Sequence, residues 1–398
     1  MRRISGGVTA PRGFRANGVA GGIKLSGRKD ISLIISEVPS VSAGVFTTNV
    51  FKSASVLVSM EILKKNPTGI RGIIANSGNA NCLTGERGIE DARRMARLVE
   101  EKLGFSENSV LVASTGIIGK PLPMDVVEYG IAKVCERIKH ESSSSNSAEG
   151  IMTTDTKIKE TAIQHISGLE TFKIGAIGKG SGMINPMMAT MLCFVTTDAK
   201  ITCELLQKAL KKAVDETFNR ISVDGDMSPN DTVLVLANGM SEFSVEKEDR
   251  NFELFTDYLR EVLNDLAMMI VEDGEGVTKV VKIEVINASR EKVAQSIARK
   301  IGNSLLVKTM LFGENPNWGR IIAAIGSAGE QVKPNKLVVK VNDKVIFDRG
   351  NYLGYPSNDV LKGKNINILV DLGTGKRKYF LFTTDLSYEY VKINAEYT

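Results

Sequence analysis

Short apolar runs of strand character alternate irregularly with stretches of helical period along this chain, and that order leaves layered architectures in which sheets and helices share a core. The clearest helix runs from Gly88 to Leu103, where Ile89, Ala92, Ala96, Val99 and Leu103 recur at spacings of three and four before the stop signal Gly104. Met124–Ile138, Cys203–Phe218, Phe252–Val271 and Arg290–Ile301 read as helices as well. Strand runs lie at Ile31–Ile35, Val56–Val58, Arg71–Ala75, Val110–Ala113, Phe172–Ile177 and Met191–Thr196. Ser36, Pro39 and Ser59 punctuate the first two of them, Asn76–Asn81 reads as a turn, and Ser142–Ser147 reads as a mobile polar surface loop. From Val280 onward strands at about 280–286, 305–311, 338–346 and 367–371 dominate, and Asp371–Gly375 reads as a hairpin turn. The expected fold is α/β, a layered α+β sandwich with a smaller C-terminal α+β domain.

Composition removes several classes of function. A net charge of +5, with no basic block longer than Lys376-Arg377-Lys378, is no nucleic-acid footprint. No run of about 18 apolar residues exists, so no membrane span is expected, and Met1–Gly7 lacks the apolar segment of a secretory signal. Cys82, Cys135, Cys193 and Cys203 are scattered and never form C-x-x-C, the usage of reduced thiols in a cytoplasmic protein. His140 and His165, the two histidines, each sit among polar or charged neighbours and read as surface residues. A histidine-rich metal site is thereby disfavoured, and a Ser-His-Asp triad would have to rest on one of the two.

The segment Gly178-Lys179-Gly180-Ser181-Gly182-Met183-Ile184-Asn185-Pro186-Met187-Met188-Ala189-Thr190-Met191-Leu192-Cys193 carries the most information. It is no phosphate loop, because G-x-x-x-x-G-K-[ST] ending at Lys179 requires Gly at 173 and Ser or Thr at 180, where the chain has Lys173 and Gly180. By composition alone, Gly178–Gly182 is a turn and Met187, Met188, Met191 and Leu192 are core. As an ordered string, the segment resembles the self-cleaving region of the ornithine acetyltransferase family, the glutamate N-acetyltransferases of arginine biosynthesis. Val45–Asn49, Asn76–Asn81, Ser114–Gly119, Met152–Thr156, Val223–Asp226, Glu272–Gly276, Asn315–Arg320 and Tyr390–Ala395 are similar to family segments and follow in family order.

The resemblance implies that the precursor cuts itself between Ala189 and Thr190, so that Thr190 becomes the catalytic nucleophile at the start of a new chain. A threonine hydroxyl is a weak nucleophile and needs a base. The α-amine that cleavage would create has an ordinary pKa of about 7.7–8.0, suited to that task near neutral pH. Family likeness assigns the oxyanion hole to Thr115 and Gly116, and substrate binding to Thr153, Lys179, Thr190, Glu275, Asn394 and Thr398. Lys179 would hold a carboxylate and Glu275 a cationic amine. The implied substrates are N-acetylornithine and glutamate, exchanged by a ping-pong cycle without metal or other cofactor; some family members also accept acetyl-CoA as donor. The implied organisation is an α chain of 1–189 and a β chain of 190–398, paired as a cytoplasmic heterotetramer of two α and two β. Residues 190–279 would complete the catalytic domain and 280–398 form the C-terminal one.

Two departures from the family pattern stand out. Asn315 occupies a position usually held by Asp, and the stretch between Asn394 and Thr398 is one residue short. Two other readings stay open: an autoprocessing N-terminal-threonine hydrolase or aminopeptidase of related fold, and an uncut small-molecule binding protein.

Overall fold

The structure is a computed structural model that describes every residue except Leu169, 186–190, Tyr355, Tyr397 and Thr398. Its contacts divide the chain into two compact units: Met1–Gly180 with Met187–Asn219 and Met227–Ile270, and Ser181–Pro186 with Arg220–Asp226 and Val271–Thr398.

The first unit carries strands β1 (Arg2–Ile4), β2 (Phe14–Val19), β3 (Ile31–Phe46), β4 (Ile70–Asn79), β5 (Val110–Ile117), β6 (Lys159–Ser167), β7 (Glu170–Lys179), β8 (Leu192–Thr197), β9 (Lys200–Ile201), β10 (Thr232–Ala237) and β11 (Ser244–Val245). Its main sheet runs β1-β6-β7-β8-β10-β3-β4-β5, with β2 also on β3 and β9 paired separately with β11. β3 continues through Ser36 and Pro39, which the sequence suggests as breakers. Its first half pairs with β2 and β4 and its second with β10, and the register with β4 slips between Ile35 and Ser40. Pro39, which has no N–H to donate, falls inside that irregularity, where no ladder bond is needed.

Helices α1 (Ala54–Lys65), α2 (Gly85–Leu103), α3 (Met124–His140) and α4 (Ser144–Ile151) share one core with Ile177, Leu192, Phe194, Leu234 and Leu236 of the sheet. The alternate residues Cys193, Val195, Val233 and Val235 point to the opposite face. There, α5 (Cys203–Glu216) and α6 (Arg250–Glu272) lie, and Leu266 packs over Gly178. Every residue of β8 and β10 is buried, as a sheet covered on both faces requires.

Three segments depart from expectation for identifiable reasons. Val56–Val58 lies in α1, not a strand: Ser53 caps the helix by accepting from Val56 N, and Ser59 Oγ both donates to Val112 O at 2.6 Å and accepts from Val112 N at 2.8 Å. The helix thereby satisfies the outer edge of β5, the last strand of the sheet. Ser142–Ser147 is no mobile loop but leads into α4. Ser143 caps it, Ser147 bonds Ser32 at 2.7 Å and Ser144 Oγ accepts from Val8 N at 3.1 Å. Side chains at Gly18 and Gly150 would collide with the backbones of Asn146 and Ile31, so this helix packs through small residues and hydroxyls. Asn76–Asn79, read as part of a turn, belongs to β4.

The second unit holds β12 (Val280–Ala288), β13 (Val338–Val341), β14 (Lys344–Asp348), β15 (Asn351–Tyr352), β16 (Asn365–Asp371) and β17 (Arg377–Thr384), in the order β15-β14-β13-β16-β12-β17. Asp371–Gly375 is not a hairpin turn, because β12 lies between β16 and β17. Helices α7 (Glu291–Gly302), α8 (Leu305–Phe312) and α9 (Gly319–Gly326) cover one face, against Val281, Ile283 and Val285. Residues 305–311, expected as a strand, form α8: Ser304 caps it, and Val307, Met310 and Leu311 bury at helical spacing. A last helix, α10 (Tyr388–Ala395), buries none of its side chains.

Candidate active site

In the first unit, Thr115 and Gly116 end β5 beside the end of β4. Gly116 has φ 134°, and a Cβ there would overlap the backbone of Gly78 and Asn79, so this close approach admits only glycine. Asn230 fixes the ledge from below by donating to Ser114 O and Ala80 O, both at 2.7 Å. Lys179, at the end of β7 and 3% exposed, donates to Thr115 Oγ1 at 3.2 Å. With its oxygen accepting from an ammonium, the Thr115 hydroxyl keeps its own hydrogen to give.

The charge of Lys179 is balanced by Asp155. Burial would push the Asp155 carboxyl up, but the Lys179 and Lys159 ammonium groups outweigh it and hold it at about 2. Its Oδ1 accepts from Lys159 Nζ at 2.7 Å and Gly180 N at 2.8 Å, and its Oδ2 from Thr153 N at 2.9 Å. Thr153 is therefore tied to the same cluster as Lys179 and Thr115. Lys24, whose Nζ donates to Met152 O at 2.7 Å, is pushed down to about 8, first by burial and then by Arg28, with Lys179 adding to the effect.

The chain enters β8 beside this cluster. Leu192 pairs with Lys179 across β7 and with Thr232 across β10. Met191, one residue earlier, donates its N–H to Asp231 Oδ1 at 2.9 Å and accepts from Thr232 N at 3.0 Å. Ala189 and Thr190, the proposed cleavage pair, lie outside the described residues, as does Thr398.

In the second unit, Asn394 Nδ2 donates to Glu275 Oε2 at 2.8 Å and to Tyr390 O at 2.9 Å. Gly276, at φ 65°, lets the loop carrying Glu275 sit against the start of α10, where Ser387 Oγ donates to Gly276 O at 2.6 Å. Gly182 has no side chain because the Glu275 carboxylate fills the space one would take. Tyr390 donates to Asp224 Oδ2 at 3.2 Å, and Asp224 also accepts from Met183 N at 2.5 Å and Ile184 N at 2.9 Å. Burial raises the Asp224 carboxyl despite those donors. It raises the Tyr390 hydroxyl too, with Asp224 adding to the effect.

Thus Thr115, Gly116, Thr153 and Lys179 belong to one cluster, and Glu275 and Asn394 to another. Sequence reasoning missed Lys24, Asp155, Asn230, Asp231, Asp224 and Tyr390 as site residues. Asn230-Asp231, directly before the apolar run Thr232–Ala237, was a legible strand-entry signal; nothing in the sequence marks Lys24. His165 is no plain surface histidine: it bonds Tyr258 Oη at 3.0 Å and stacks on Phe172. Among the described residues no group of three or more His, Cys, Asp and Glu is arranged to hold a metal ion, and no helix is long and apolar enough to cross a membrane.

Fold and clusters define a mixed α/β protein with a buried, charge-compensated polar centre at the ends of β5, β7, β8 and β10. The sequence profile of the ArgJ family matches residues 15–398, and the chain belongs to that family. The glutamate N-acetyltransferase of Methanocaldococcus jannaschii is 47% identical over 411 aligned positions, covering 100% of both chains. The arginine biosynthesis bifunctional protein ArgJ of Thermotoga neapolitana is 46% identical, covering 97% of this chain and 99% of its own. A crystal structure of the Mycobacterium tuberculosis ornithine acetyltransferase complexed with ornithine shares 39% identity, covering 46% of this chain and 97% of its own at a TM-score of 0.44.

Proposed function

We propose that this chain is a self-processing glutamate N-acetyltransferase of arginine biosynthesis, which moves the acetyl group of N-acetylornithine to glutamate through an acetyl-Thr190 intermediate. Full-length likeness to glutamate N-acetyltransferases supports the activity. The observation that carries the site is the entry to β8: Met191 is pinned by Asp231 and Thr232, and Leu192 lies opposite Lys179.

Cleavage of the Ala189–Thr190 bond frees an amine that takes the proton from the Thr190 hydroxyl as its oxygen attacks the acetyl carbonyl. Thr115 and Gly116 donate to the developing oxyanion, one such donor contributing about 2.7–4 kcal/mol. The carbon–nitrogen bond then breaks, ornithine leaves with the proton, and the glutamate amine repeats the attack on the ester and returns the proton to Thr190. One amide replaces another, so the exchange needs neither ATP nor metal. A thioester donor such as acetyl-CoA would charge the same hydroxyl. Lys179 and Thr153 hold a substrate carboxylate and Glu275, steadied by Asn394, a cationic amine; Thr398 contributes from the C-terminus. The processed enzyme is a cytoplasmic heterotetramer of two α and two β chains.

The test is acetyl transfer from N-acetylornithine to glutamate, measured beside free acetate release. Transfer dominating supports the reading. Acetate release alone would make the protein a hydrolase, and acetyl-CoA supplied as sole donor tests its use directly.

A further inference from the structure

Glutamate carries a second carboxylate that N-acetylornithine lacks, and Lys179 with Thr153 accounts for only the one they share. The loop between β2 and β3 holds a further cation beside them. That loop is shaped by Asp30, whose buried Oδ1 accepts from Gly21 N at 2.6 Å and whose Oδ2 accepts from Gly22 N at 3.1 Å and Lys24 N at 3.0 Å. The Asp30 carbonyl accepts from Ser77 N at 2.9 Å, which ties the loop to β4. The next residue of β4, Gly78, pairs with Gly116, and a Cβ at Gly78 would lie 3.3 Å from Lys24 Cγ. The stem of Lys24 therefore lies against the strand that flanks the Thr115–Gly116 ledge.

From there the ammonium reaches the residue before Thr153: Lys24 Nζ donates to Met152 O and to Lys29 O, both at 2.7 Å. Lys24, Gly116 and Thr153 are half-buried, and so open to a ligand, whereas Thr115 and Lys179 are buried. An ammonium has three hydrogens to donate, and the carbonyls of Met152 and Lys29 leave one over. Neither carbonyl neutralises the charge, and among the described residues Lys24 has no carboxylate as ion-pair partner. Asp30 is occupied by backbone N–H groups, and Asp155 by Lys159 and the N–H groups of Gly180 and Thr153. Asp231, facing Lys179, supplies no anion because burial pushes its carboxyl well up. Removing a charge from water without a counterion is costly, and burial, followed by Arg28 and then Lys179, pushes Lys24 down to about 8. What this corner lacks is an anion brought by a ligand.

We propose that Lys24 is a specificity residue for the acceptor: with the α-carboxylate of glutamate on Lys179 and Thr153, the third hydrogen of Lys24 is donated to the side-chain carboxylate. The inference rests on the reading of glutamate as acceptor, and not on where the nucleophile lies. N-acetylornithine has no second carboxylate and gains nothing from Lys24, so the residue serves only the half of the exchange in which glutamate binds.

The experiment compares the full chain as wild type, Lys24→Gln and Lys24→Arg, with N-acetylornithine as donor and glutamate or glutamine as acceptor. Gln keeps a donor for the loop carbonyls and removes the charge. The expected Lys24→Gln enzyme raises KM for glutamate about 10- to 100-fold, the worth of one charged hydrogen bond. Its KM for N-acetylornithine is little changed, its preference for glutamate over glutamine falls by the same factor, and Lys24→Arg restores part of the loss. A Lys24→Gln enzyme that loses glutamate and glutamine transfer alike, or binds N-acetylornithine equally less well, has suffered a structural defect and overturns the proposal. Unchanged KM for glutamate overturns it too, and both of these outcomes leave transfer to glutamate standing. A wild type that acetylates no glutamate overturns both readings. Should the variants not fold, reductive methylation of the wild-type lysines, located by peptide mass, decides. Glutarate is expected to protect Lys24 where butyrate does not, and equal labelling with the two overturns the proposal.

Discussion

The cluster around Lys179 and the cluster around Glu275 are held in place by different means. Lys179, Thr115 and Asp155 are buried, two of them at the ends of strands in a sheet covered on both faces. Asn394 is exposed on a helix that buries no side chain, joined to Glu275 by one hydrogen bond. The first cluster is therefore part of the folding core, and its charges must be compensated for the unit to fold. The second rests on caps and a few polar contacts, and can change with little cost to the rest of its unit. Changes in the first should cost stability or kcat; changes in the second should move KM.

The largest effect is expected from Asp155→Asn. It leaves Lys159 buried without its anion, and removing one partner of a buried pair costs about 3–5 kcal/mol. Urea unfolding at neutral pH measures it. The wild type should show the matching pH signature. The Asp155 carboxyl is depressed from 3.8 to about 2, so its contribution, about 2 kcal/mol, is complete above pH 3.8 and is lost as pH falls through about 2. Asp155→Asn should lack that component of acid destabilisation.

Thr115→Ala follows, with kcat for acetyl transfer falling about 10²–10³-fold and KM little changed, as removal of an oxyanion donor predicts. A change confined to KM would move Thr115 from transition-state to substrate binding. Gly116→Ala should destabilise by more than about 1 kcal/mol, because its φ of 134° and the Gly78 backbone leave no room for a Cβ; the chemical-denaturation midpoint reports it. The smallest effect belongs to Asn394→Ala, which should raise KM by about tenfold or less, the worth of one hydrogen bond, with the unfolding midpoint unchanged. A large loss of stability there would break the contrast between the clusters.

Much of this was legible in the sequence, and the failures are physical. The helix ending at Gly104 was readable because its apolar stripe and left-handed cap, φ 68°, agree. Val56–Val58 and Leu305–Leu311 were not, because short apolar runs fit either period until a capping serine, Ser53 or Ser304, decides. Ser142–Ser147 was misread because several of its hydroxyls bond other parts of the chain, at Val8, Ala16 and Ser32. At the site, Thr115, Gly116 and Lys179 were reached through ordered motifs, whereas Asp155 and Asp231 owe their importance to partners 24 to 40 positions away (179 − 155 and 231 − 191), a proximity that only the fold creates.

The central claim is that the buried cluster serves a threonine freed by cleavage at the entry to β8. Intact mass of the mature protein under denaturing conditions, beside Thr190→Ala, tests it most directly. The account predicts chains of 189 and 209 residues (398 − 189) from the wild type and one uncut chain from the variant. A wild type that remains a single chain of 398 residues while transferring acetyl groups would contradict it.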